Sequence, residues 1–322
     1  MKPIGLKIKN NLYFTPTAPF NFDAVLHKPS HFPSSDNIWE KGKYWITMLW
    51  QNKVLGLKFE NKGTIFKPKV KVIVYSQKDL GKNYSKSLKQ EINWRFNFNS
   101  NTSEFYKKFK NDKLLKPVLK KWKDMRPVAA NSFYETLIIY IVLQNATVKR
   151  TVQMLENLFN KFGQKIKFDN KILSTFWQPE KIDKTDERVL RDLKLGYRAK
   201  FVKKLSSQFV NGKINEFEMR KLPKNELEKK ILKIYGIGPA SVEYVLFEDY
   251  YHNVFKTIPP WEQKIYSRIF YDKKFVPVDK ILKDIHKKYG EWSKLVAHYI
   301  WEDLFWTRKH KHIEWLEKEI RL

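Results

Sequence analysis

The stretch with the most chemical content runs from Asn225 to Ile269. Leu227, Ile231, Leu232 and Ile234 fall on one helical face, and Tyr235-Gly236-Ile237-Gly238-Pro239 follows directly. Two glycines around one aliphatic residue permit a tight hairpin, and Pro239 suits the first turn of a new helix, where its missing N–H costs nothing. The amides opening that helix, towards Ala240 and Ser241, face outward at the positive end of a helix dipole, and a phosphate is a natural occupant. Taken alone, Gly-x-Gly also fits a plain helix-to-helix turn. Further on, Pro259-Pro260-Trp261-Glu262 sets a carboxylate at the start of another helix, where the dipole by itself favours an acid. Asp249, the nearest other acid, reads as solvated in the loop before it.

Composition narrows the chemistry. The chain has 322 residues and no cysteine, which excludes disulfides, thiolate zinc sites, thiol nucleophiles and iron–sulfur clusters. His310 and His312 have no third ligand nearby and read as a solvated pair, so no metal site is expected. Lys and Arg number 63 against 34 Asp and Glu, a net charge of +29. A chain this basic commonly meets a polyanion, and the 16% aromatic content supplies rings able to wedge or stack on bases. No apolar run approaches the ~20 residues that span a bilayer. A soluble, intracellular protein without membrane association is the expectation.

The elements that must position these residues change class along the chain. Tyr44–Trp50 and Val54–Phe59 flank Gln51-Asn52-Lys53 as a hairpin, Val70–Tyr75 alternates, and Ile92–Phe98 alternates as a further strand. After Asn101 the spacing becomes helical. Ser132 and Glu135 form a capping box ahead of Phe133–Leu143, and Val148–Phe162 is amphipathic up to Gly163. Further helices are expected at about 186–194, 198–210, 224–234, 239–248, 262–271, 279–289 and 292–308. The predicted fold class is α+β, an antiparallel β-rich part over 1–101 and an all-α body over 102–322.

The order of these motifs resembles the helix-hairpin-helix DNA glycosylase superfamily. Ile234 to Tyr244 is similar to its hairpin. Ile258 to Tyr266 is similar to the following segment, with Glu262 where the family has Asp. Ser103-Glu104-Phe105-Tyr106, Val142 to Val148, Gly196-Tyr197-Arg198-Ala199-Lys200 and Trp292 to Trp301 resemble further family segments in the family's order. The motifs divide between the alkyladenine and 8-oxoguanine branches, both of which carry an N-terminal antiparallel sheet.

The resemblance implies a base-excision-repair enzyme that flips a damaged base, an alkylated purine or 8-oxoguanine, from duplex DNA and hydrolyses its N-glycosidic bond. Glu262 would stabilise positive charge on the sugar and activate water. Its extra methylene moves the carboxylate by roughly 1 Å, which leaves a catalytically weakened DNA-binding relative as an alternative. Ala240 stands where bifunctional members carry a Schiff-base lysine, which implies a monofunctional enzyme. A lysine from elsewhere, such as Lys264, would make it a bifunctional glycosylase and AP lyase. Gly236, Ile237, Gly238, Ala240 and Ser241 would meet phosphate, and Asn145 would enter the duplex where the base left. Trp261, Tyr266, Phe133 and Tyr134 are candidates for the base pocket. Tyr197 and Arg198 would brace the helices against the hairpin. The basic helices carrying Lys107, Lys108, Lys110, Lys149, Arg150, Lys200, Lys203 and Lys204 read as solvated faces that include some phosphate contacts. The expected partner is double-stranded DNA, bound by a monomer. No organic cofactor or metal is expected, beyond a monovalent cation held by the hairpin's backbone carbonyls.

Overall fold

The computed structural model describes residues 2–27 and 33–319. Period-two runs in the first part give β1 (Ile4–Gly5), β2 (Ile8–Phe14), β3 (Asn37–Glu40), β4 (Lys43–Trp50), β5 (Lys53–Asn61) and β6 (Val70–Ser76). The last five form an antiparallel sheet in the order β2-β6-β5-β4-β3. The β4–β5 turn places Gln51 and Asn52 at φ 44° and 61°, the backbone that matches strand twist in a two-residue hairpin. Leu55, Leu57 and Phe59 alternate into one face beside Val70, Val72 and Val74.

That face is covered by α1 (Lys82–Arg95), through Leu88 and Ile92, and by Phe96 and Phe98. The strand expected over Ile92–Phe98 is therefore the end of a helix. Leu88 and Ile92 lie four apart on one face, and Arg95 Nε reaches Glu91 Oε1 at 2.7 Å, one turn back. The helical period that begins upstream outweighs a short alternation. Helix is thus present over Lys82–Arg95, well before Asn101, and a short helix stands earlier still at Phe22–Leu26.

A second sheet was not expected. β7 (Lys165–Phe168) and β8 (Lys171–Ser174) form a hairpin inside the helical part, and β1 pairs parallel to β7. Phe168 lies over the outer face of the first sheet, and a Cβ on Gly56 would stand 2.5 Å from its ring, so glycine is what lets the two sheets meet. Arg126 makes a second tie. Its buried guanidinium donates to the carbonyls of Thr17, Pro19, Asn97 and Ser100 and to Asp124.

The helical body contains α2 (Phe133–Leu143), α3 (Val148–Phe162), α4 (Arg198–Val210), α5 (Lys224–Leu232), α6 (Pro239–Glu248), α7 (Pro260–Tyr271), α8 (Val278–Tyr289) and α9 (Ser293–His310), with shorter helices between them. The Ser132–Glu135 capping box opens α2, and Thr147 caps α3. One core gathers α2 to α6, and another gathers α7 to α9 with the helices at Ser103–Phe109 and Leu115–Lys121. Among the described residues no helix is long and apolar enough to cross a membrane.

Candidate active site and nucleic-acid interface

The hairpin joins α5 to α6. Gly236 has φ +89°, a left-handed conformation that disfavours any side chain, and a Cβ there would stand 3.0 Å from the Phe201 ring. Gly238 is exposed, with open space around its missing Cβ, and serves as the N-cap of α6 without a side-chain cap. Pro239 lies in the first turn. The first amides of α6 are left for an external acceptor, while Ile237 is buried and anchors the turn.

Ala240 and Tyr244 lie one turn apart on α6 and so share a face. The Tyr244 hydroxyl donates to Glu262 Oε1. Glu262 sits in the first turn of α7 and is 2% exposed, so the carboxylate expected at the mouth of a helix is held inside the protein. Burial pushes its carboxyl above the ordinary glutamate range. The Lys294 ammonium and the hydroxyls of Tyr244 and Tyr266 act in the opposite sense by favouring the anion. Both tyrosine hydroxyls are pushed well above their usual range, chiefly by burial and then by Glu262 itself, and remain protonated donors. Asp249, expected to be solvated, is buried: Tyr250 beside it packs on Phe133, and Tyr251 donates to Trp94 O at 2.6 Å, drawing this segment against the N-terminal part.

A cavity of about 290 Å³ opens beside Glu262, lined by Tyr140, Tyr244, Phe247, Tyr266 and Trp301 from the helices and by Tyr44 from the first sheet. Of the four expected pocket residues, Tyr266 lines it. Trp261 is 42% exposed and meets the Trp301 ring edge-on at 5.1 Å. Phe133 and Tyr134 lie in the helical core, the latter bonded to Ser206 Oγ at 2.8 Å. Lys264 points away, paired with Glu319 at 2.6 Å. Lys294 was not anticipated. It is 7% exposed in the cavity wall, with its ammonium 4.3 Å from the Tyr244 ring centre. The helical spacing of α9 placed it on an inward face, but a lysine at such a position reads as a snorkelling surface residue.

Asn145 is exposed at φ +49°, donates to the Tyr197 hydroxyl at 3.3 Å, and stands at the tip of the loop between α2 and α3. Its neighbour Gln144 donates to Gly236 O at 2.6 Å, and Arg198 Nε donates to Gln144 O at 3.0 Å. One amide side chain thus links this loop to the hairpin, with Arg198 fixing its backbone. Lys204 lies 4.1 Å from the Tyr235 ring centre, beside the hairpin. Lys203 instead turns inward to the carbonyls of Asp183 and Thr185, so it stands as a structural tie.

Comparison with known proteins supplies the context for this arrangement. The DNA-3-methyladenine glycosylase of Bacillus subtilis (strain 168) is 23% identical over 214 residues, covering 65% of this chain and 70% of that protein. The structure of the 3-methyladenine DNA glycosylase from Archaeoglobus fulgidus aligns with a TM-score of 0.72 at 14% identity, covering 91% of this chain and 99% of that one. That of the Clostridium acetobutylicum 8-oxoguanine glycosylase/lyase in its apo form aligns with a TM-score of 0.66 at 19% identity, covering 94% and 98%. The model of the HhH-GPD superfamily base excision DNA repair proteins matches residues 138–308, from α2 through the hairpin, Glu262 and Lys294. With just over half of its length so matched, the chain belongs to the HhH-GPD superfamily of base excision DNA repair proteins.

Proposed function

We propose that the protein is a DNA glycosylase that hydrolyses the N-glycosidic bond of a damaged purine flipped out of duplex DNA. The observation that carries this reading is a buried carboxylate, Glu262, that accepts from Tyr244, a residue that with Tyr266 lines an aromatic cavity, one helix away from the Gly236–Gly238 hairpin. The catalytic names of the relatives support it. In the reaction the C1′–N bond breaks with its electron pair leaving on the base, and positive charge grows on the sugar. Glu262 faces that charge, and the attacking water bonds to C1′ while giving a proton to the carboxylate. Removing ionised Glu262 from water has a cost in stability that is returned when the sugar cation forms beside it.

Hairpin amides of Gly238, Ala240 and Ser241 would hold a backbone phosphate, and Asn145 would occupy the gap left by the base. Ile234 O and Gly236 O each already accept one hydrogen bond, from Ile237 N and Gln144 Nε2. Their second lone pairs fit a monovalent cation, which would neutralise phosphate charge there. Ala240 offers no amine, so water is the nucleophile and the protein acts as a monofunctional, monomeric enzyme on double-stranded DNA. The test is base release from a panel of lesion-bearing duplexes. Products are expected to be abasic sites that break only after alkali or heat. Normal duplex binding with no release from any lesion would identify a DNA-binding relative instead.

A further inference from the structure

The aromatic cavity holds a positive charge that favours ionised Glu262 and has no other part in the glycosidic reaction. Lys294, in the first turn of α9, is nearly fully buried, with its ammonium over the ring faces of Tyr244 at 4.3 Å, Phe255 at 5.5 Å and Phe247 at 5.9 Å, and it favours the anions of Glu262 and Glu243. Tyr244 separates the two charges, with the ammonium over its ring and the Glu262 carboxylate at its hydroxyl. The carboxylate thus belongs to the sugar end and the lysine to the wall beside the base. Given the reading of this cavity as the base pocket, we propose that Lys294 determines specificity: its fixed charge admits neutral, carbonyl-bearing purines, as oxidation or deamination produces, and rejects N-alkylated purines that carry a positive charge.

Three features of the wall support this. An ammonium has three donors and no acceptor, so it pairs with a carbonyl oxygen or a bare ring nitrogen of a neutral base, whereas on an N-alkylated ring the positive charge opposes the same contact. Aromatic faces would ordinarily attract a cationic base, but the Tyr244 face already holds the lysine. Of the acids that Lys294 faces, Glu262 belongs to the sugar end, and Glu243 accepts a hydrogen bond from Lys256 N at 3.0 Å and is pushed by burial towards the neutral form. Asp36 accepts a hydrogen bond from Asn37 at 2.9 Å, and burial pushes it towards the neutral form. Glu302 stands 3.9 Å from His298, and Glu248 engages neighbours of its own. Two unit charges about 5 Å apart at an effective dielectric of about 20 repel by roughly a hundredfold in affinity, enough to choose between lesion classes.

The test uses the full chain and duplexes carrying 2′-fluorinated 8-oxoguanine or 7-methylguanine nucleotides, which resist hydrolysis, so that selection is read without catalysis. Wild type is expected to bind the 8-oxoguanine duplex about a hundredfold tighter than the 7-methylguanine duplex. Lys294→Met should bring the two within about threefold, and Lys294→Arg should keep most of the difference. Melting temperature and affinity for undamaged duplex, measured in parallel, report whether either variant has lost its fold. Equal binding of the two lesions by wild type overturns the proposal, as does a preference that survives Lys294→Met. A borohydride-trapped adduct that vanishes in Lys294→Met also overturns it, because the amine would then be a nucleophile and not a fixed charge. Intact selection without excision of the unfluorinated lesions would leave this assignment standing and count against the glycosylase reading alone.

Discussion

At the residue scale the protein turns on a carboxylate that is costly to keep. Glu262→Gln is expected to bind lesion duplex nearly normally and to lose base release by about a hundredfold or more, because the amide keeps the shape and discards the charge. Full excision by this variant would falsify the assignment. Glu262→Asp should stay measurably active, with its shorter side chain drawn back from the Tyr244 hydroxyl. The acid form of Glu262 is catalytically useless, and burial raises its pKa, so excision should fall on the acid side at a pH above 4.5. Lys294→Met, by removing a charge that favours the anion, should move that limb higher still, as a pH–rate profile would show. Stability runs the other way. A carboxyl whose folded pKa is raised contributes stability that is present below 4.5 and lost as pH rises through the folded value. Glu262→Gln escapes that loss, so it should be more stable than wild type at neutral pH, by on the order of 1–2 kcal/mol, with the gap closing in acid. Thermal melts of both proteins across that range check the sign.

At the scale of elements, the two hairpin glycines should fail in different ways. Gly236→Ala meets both a positive φ and the Phe201 ring, so it should destabilise the fold by about 1–2 kcal/mol and weaken DNA binding with it. Gly238→Ala has φ −95° and free space, so stability should be unchanged while affinity for any duplex falls, because its methyl stands where a phosphate would approach. Equal melting temperatures for the two variants would contradict this division. The hairpin, the capping box of α2 and the ends of α3, α4 and α6 were legible in the sequence, because local rules at glycine, proline, serine and threonine set them. The end of α1 and the β7–β8 hairpin were not. Ile92–Phe98 satisfies two periodicities at once, and β7 gains its partner β1 from a segment about 160 residues away. The candidate site divides in the same manner. Glu262 and the hairpin glycines announce themselves by position, whereas Phe133 and Tyr134 look like pocket residues until α4 and its Ser206 close over them. The spacing of α9 turns Lys294 inward, but that it meets a cavity wall beside Tyr244 of α6 is a tertiary fact that no local pattern carries.

At the scale of the whole molecule, the net charge of +29 and the Arg126 tie answer different needs. Arg126→Met would leave a buried Asp124 and four carbonyls without their donor, a loss of about 3–5 kcal/mol in stability with no direct effect on phosphate contacts. The surface charge contributes to association instead. Each phosphate neutralised releases condensed counterions, and four to six such contacts should cost roughly two to three powers of ten in affinity between 50 and 200 mM salt, at a slope of about −0.9 per contact. Which lysines take part is decided by their surroundings. Lys204, beside the hairpin's Tyr235, is placed to meet the same strand as the amides of α6, so Lys204→Ala should flatten the logarithmic slope by about one contact on lesion and undamaged duplex alike. Lys318, paired with Glu314 at 2.7 Å on the last short helix, serves as the control, and Lys318→Ala should leave the slope unchanged. Titrations of both variants over that salt range decide the point. An unchanged slope for Lys204→Ala would move the DNA path away from the hairpin, and a salt-insensitive wild type would mean that the excess charge is not there for phosphate at all.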